Sequence, residues 1–115
     1  MARPNKITTN TKELFSLIEK KIRATQYVFS PHATGRGVQR GITEEEVIDM
    51  LCGREGYSRH WNKAKDTFEP PWYSQKPQWR YCIEGTTPDK DELRVIITFD
   101  EVLMPIITVM KLDRR

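Results

Sequence analysis

With 115 residues, 37% hydrophobic and 30% charged, the chain has the size and make-up of one folded domain and is too apolar for wholesale disorder. Its longest strongly apolar stretch, Val102 to Met110, is interrupted by Pro105 and falls far short of the roughly 20 residues that cross a bilayer, and the opening Met1 to Lys6 lacks a secretory h-region, so a cytoplasmic protein without a membrane span is expected. The net charge of +3 is unevenly spread, since residues 1–43 carry eight Lys or Arg against two acids while residues 44–56 carry one against five, which suits a basic face on a mildly basic protein.

Asn10 and Glu13 resemble a capping box, and Leu14, Leu17, Ile18 and Ile22 follow at helical spacing, predicting a first helix near 11–24. Tyr27-Val28-Phe29 is a short β-prone run closed by Ser30-Pro31, with Ser30 as N-cap and Pro31 at the first helical position. A second helix is expected from Pro31 to about Arg40, weakened by Gly35 and Gly37 and ending on Gly41. Thr43 with Glu46 forms a further capping box, and Gly53 supplies a stop, so a third helix is predicted over 44–52. Residues 53–78 contain Pro70, Pro71 and Pro77 without clear periodicity and read as a long irregular excursion. Three strands follow, at Trp79 to Gly85, Leu93 to Phe99 and Met104 to Met110, joined by short polar links that imply an antiparallel meander.

The stretch Phe29-Ser30-Pro31-His32-Ala33, then Arg36, then Arg40-Gly41-Ile42-Thr43-Glu44-Glu45-Glu46-Val47 and Leu51, together with Ile106-Ile107-Thr108-Val109, resembles a small bacterial family of unassigned function related in fold to the RelE, ParE and BrnT toxins. The resemblance covers roughly residues 27–111. It implies an α+β, RelE-like fold with a mostly antiparallel sheet of about four strands and two short helices at 27–115, preceded by an N-terminal helical extension at 1–26. It further suggests a toxin of the toxin–antitoxin type, acting on messenger RNA as a metal-independent endoribonuclease or RNA binder, under control of a small antitoxin-like protein.

Cleavage of RNA needs a base for the 2′-hydroxyl, cations for the phosphorane and an acid for the leaving oxygen. His32 is the candidate acid–base group, with Arg36 and Arg40 at i+4 and i+8 as a phosphate clamp and Lys111 near the end of the last strand as a further cation. Structural alternatives stand beside each: His32 as a cap or packing group, Arg40 paired with Glu44 to Glu46, Lys111 as a solubilising surface charge. The excursion and the strand after it place Trp61, Trp72 and Tyr81 among Arg59, Lys63, Lys65, Lys76 and Arg80, a composition that suits base stacking and phosphate contact. The same aromatics can anchor loops to a core, and a second reading is a non-catalytic module that engages a protein partner through residues 57–81. Cys52 and Cys82 read as reduced, partly buried thiols. No metal is expected, because Cys52, Cys82, His32 and His60 lack ligand spacing, and no cofactor is implied. Specific DNA reading by the third helix is disfavoured, because Glu44, Glu45, Glu46 and Asp49 would face phosphates.

Overall fold

A computed structural model describes residues 3–34 and 41–112. The chain runs α1 (Thr11–Arg23), β1 (Tyr27–Phe29), α2 (described over 31–34), α3 (Glu44–Cys52), β2 (Ser58–Trp61), a 3-10 turn (Lys63–Lys65), β3 (Thr67–Glu69), β4 (Gln78–Thr86), β5 (Glu92–Ile97) and β6 (Met104–Leu112). The helix starts follow the local chemistry of the sequence. Asn10 accepts from the Glu13 amide, and Thr43 and Glu46 form a reciprocal capping box. Gly53 closes α3 at φ 62°, a left-handed conformation that glycine adopts without the Cβ penalty. Ser30 caps α2 through the Ala33 amide and is tied down in turn, donating its hydroxyl to the Ile107 carbonyl at 2.6 Å.

The sheet is mixed and has six strands, ordered β1-β6-β5-β4-β2, with β3 also pairing β4. β1 lies parallel to β6, and every other pairing is antiparallel. This exceeds the four or so strands expected from sequence, and the difference lies inside the supposed irregular excursion. β2 pairs with the second half of β4 and β3 with its first half, so the two short strands share one long edge. At three and four residues, they are too short to display a period-2 pattern.

The core lies on one side of the sheet. Leu14, Ile18 and Ile22 of α1 and Val47, Met50 and Leu51 of α3 pack with Tyr81, Ile83, Leu93, Val95, Ile97, Met104, Ile106 and Val109. Thus α1 contributes to the same core as the strands. Residues 3–10 run across this side as well: the Trp79 indole donates to the Pro4 carbonyl at 2.7 Å, and the Ile7 amide donates to the Tyr81 hydroxyl at 2.8 Å. The Asp66 carboxylate, almost fully buried, accepts from Lys6, from the Trp61 indole and from the Cys82 amide. No helix of the described residues is long and apolar enough to cross a membrane.

Candidate nucleic-acid interface

Because strand side chains alternate between faces, the register of the sheet fixes what lies opposite the helices. The alternate positions are Ser58 and His60 on β2, Arg80, Cys82, Glu84 and Thr86 on β4, Glu92, Arg94 and Ile96 on β5, and Thr108, Met110 and Leu112 on β6. Neither α1 nor α3 packs on this face, although Cys82 and Glu84 within it are buried. The parity of β6 depends on a bulge. Ile97 pairs with Ile106 while Ile96 pairs with Thr108, so one extra residue turns Thr108 onto the open face and leaves Lys111 opposite Leu93, on the helix side.

At one end of the open face a cleft of about 410 Å³ is lined by Ser30, Pro31, His32, Pro70, Trp72, Arg80, Ile107 and Thr108. Four segments converge there. Ser30 anchors α2 to β6 and so brings the exposed His32 beside Thr108. The β3–β4 connection, carrying three prolines, lays Trp72 at the rim, where it is 45% exposed and meets Tyr73 edge-on. Arg80 rises from β4, donates to the Pro70 carbonyl and lies 3.7 Å from the exposed Glu69 carboxylate. Its Nε is buried without a hydrogen-bond partner among the described residues. A pair as long and solvated as Arg80–Glu69 is worth less than about 1 kcal/mol, so an anion can displace Glu69.

At the other end of β4 a second cluster emerges, which sequence reasoning did not single out. Glu84 is only 4% exposed and accepts from Arg94 Nε at 2.7 Å and Asn62 Nδ2 at 3.1 Å, with His60 Nε2 at 3.3 Å. His60, Glu84 and Arg94 lie on adjacent strands in direct register, and His60 and Glu84 border a small hollow with Ser58, Thr86 and Glu92. The three are 24 and 10 residues apart in the chain, so no motif spacing marks them; only the pairing of β2 with β4 does.

The remaining sequence candidates scatter. Arg36 and Arg40 lie outside the described residues. Lys111 pairs with Asp91 at 3.3 Å, away from His32 and Thr108. Arg59 is built into the helix side: it donates to the Leu51 carbonyl, lies 3.3 Å from Glu19 and stacks over Phe15 at 4.3 Å. Trp61 and Tyr81 are buried against each other, with ring centroids 5.8 Å apart, and are not available to stack bases. Lys63 donates to the Thr9 carbonyl, while Lys65 and Lys76 are exposed, Lys76 beside Asp100 and Glu101. Of the aromatic excursion, Trp72 and Tyr73 are the rings that reach solvent prominently. Both cysteines are free thiols; burial pushes Cys52 up, and burial together with the nearby Glu84 carboxylate pushes Cys82 up to about 11. Among the described residues no group of three or more His, Cys, Asp and Glu is placed to hold a metal ion.

Residues 29–111 match the model of a domain of unknown function, DUF4258, and the chain belongs to that family. Among curated proteins and among solved structures, none matches the chain.

Proposed function

We propose that the protein binds single-stranded RNA across the open face of its sheet and acts on messenger RNA in the manner of a RelE-like toxin. The observation that carries this reading is the convergence of His32, Trp72 and Arg80, from three separate segments, on one cleft beside Thr108. An exposed indole offers a sequence-tolerant stacking platform, and a guanidinium whose nearest carboxylate is loosely held offers charge to a phosphate. His32 adds a ring whose nitrogens can donate or accept a hydrogen bond. The partly exposed strand residues Arg94, Ile96, Thr108 and Met110 supply a surface on which unpaired bases can be splayed, which is how RNA is commonly read in sequence.

Fluorescence anisotropy with a labelled single-stranded RNA tests the reading. Trp72→Ala is expected to weaken binding by about 1–3 kcal/mol, the usual loss for one base stack. Arg80→Ala is expected to weaken it too and to reduce the slope of log K against log salt by about 0.7, the value for one phosphate on a single strand. Unchanged affinity in both variants would overturn the assignment. As a toxin, the protein should arrest growth upon induced expression, and co-expression of a small antitoxin-like protein encoded beside it should lift the arrest.

A further inference from the structure

The cluster at the far end of β4 has a different composition from the cleft and a different use. We propose that His60 is the acid–base residue for cleavage of RNA bound on the open face, with Glu84 as its positioning residue and the terminal amino groups of Arg94 as donors to the reacting phosphate; this rests on the RNA-binding reading above.

A carboxylate at 4% exposure, like that of Glu84, is costly unless donors surround it, and here Arg94 takes one oxygen while Asn62 and His60 share the other. Those partners fix its orientation, and it in turn fixes theirs. With Nε2 3.3 Å from a Glu84 carboxylate oxygen, a proton on Nε2 is favoured over one on Nδ1, which makes Nδ1 the basic atom of the proposal. Nδ1 has no partner among the described residues, and the His60 side chain is 65% exposed, so a substrate can reach it. Arg94 is held through Nε, so its two terminal amino groups, which have no partner among the described residues, remain for an anion. The other charged groups facing His60 are Glu84 itself and Glu92, which borders the same hollow. A base held by a carboxylate, beside a guanidinium fork, is the set of groups that phosphodiester transesterification requires.

The step balances without a cofactor. Nδ1 takes the proton of a ribose 2′-hydroxyl, and the 2′-oxygen forms a bond to phosphorus. The bond from phosphorus to the 5′-oxygen breaks, that oxygen takes a proton from water, and Nδ1 returns its proton to the hydroxide so formed. The products are a 2′,3′-cyclic phosphate and a 5′-hydroxyl end, and Arg94 stabilises the charge that develops on the non-bridging oxygens. Arg80 and Glu84 are four residues apart on one strand, about 13 Å at the usual rise, so one extended RNA strand of a few nucleotides reaches both the cleft and His60.

Cleavage and binding are measured together on the full-length chain, with an end-labelled single-stranded RNA and its all-2′-deoxy counterpart. The parent is expected to bind the RNA and cut it to cyclic-phosphate ends, leaving the deoxy strand whole. His60→Ala should bind within about twofold of the parent, cut at least about 100-fold more slowly, and recover on addition of free imidazole, a rescue that a structural role would not permit. Glu84→Gln, checked for an unchanged melting temperature, should lower kcat with KM unaltered; Arg94→Lys provides a second such variant should Glu84→Gln fail to fold. If the parent binds RNA without cutting it, or His60→Ala cuts as fast as the parent, the inference is overturned and the binding reading stands. If the parent binds no RNA, the binding reading fails and takes the inference with it.

Discussion

Arg59 and Arg80 are both basic residues among aromatics, yet they end on opposite faces of the sheet. Arg59 bridges α1, α3 and β2 through Glu19, the Leu51 carbonyl and the Phe15 ring. Arg59→Ala is therefore expected to destabilise the fold by roughly 1–3 kcal/mol in urea titration while leaving RNA affinity unchanged. Asp66 is a stronger case, because its buried carboxylate ties residues 3–10 to β2 and β4. Its replacement by Ala should cost roughly 3 kcal/mol, since Lys6, the Trp61 indole and the Cys82 amide all lose their acceptor. Nothing local to Asp66 in the chain announces this role; it reads as one more charged residue after Lys63 and Lys65. Cys82 offers a pH test. Burial first, and Glu84 second, raise its thiol from an ordinary 9.0 to about 11 in the fold. A raised acid is held neutral by folding, so its contribution is complete below pH 9 and is lost as pH rises toward 11. Stability of the parent should fall through that window, more steeply than that of Cys82→Ala, and native protein at pH 7.5 should protect Cys82 from thiol reagents while the unfolded chain exposes both cysteines.

At the scale of elements, the first and third helices were legible because their signals are local, while the second is expected to run on to Arg40 over residues 35–40, which lie outside the described ones. Asn10, Thr43 and Gly53 sit within three residues of the groups they cap, and the three long strands announce themselves by apolar runs. β2 and β3 were not legible, because each is recruited by β4 and has too few residues to show alternation alone. The bulge in β6 was equally hidden, and it decides which of Thr108 and Lys111 faces the cleft. Gly85 marks how closely these elements meet: a Cβ there would lie 1.9 Å from the Ser58 carbonyl oxygen and 2.8 Å from the Met50 sulfur. Backbone cannot yield as a side chain tip can, so Gly85→Ala should cost at least about 3 kcal/mol and separate β2 from β4. The accompanying loss of protection of the Asn62 amide, which donates to the Cys82 carbonyl, read by hydrogen exchange, would distinguish this from a general loosening. Ile18→Ala in α1 removes a fully buried side chain and should cost about 2–5 kcal/mol, a penalty that shows α1 to be integral to the fold although the family match begins at residue 29.

Across the whole molecule, the sheet divides two kinds of work. The helix side holds α1, α3 and residues 3–10, and it absorbs Arg59, Trp61 and Tyr81 into stability. The open side keeps His32, Trp72, Arg80, His60 and Arg94 exposed or half-buried along one strand direction. His32, Trp72 and Arg80 were recognisable in the sequence as chemistry, but which of many basic and aromatic residues would share a face depended on strand pairing that sequence does not display. The central claim is that RNA lies on this open face. The most direct measurement is amide and indole chemical-shift mapping during titration with a single-stranded RNA oligonucleotide. The account predicts shifts at the Trp72 indole, at Arg80 to Glu84 of β4 and at Thr108, with α1 unmoved; shifts confined to α1, α3 and residues 3–10, with the open face silent, would contradict it.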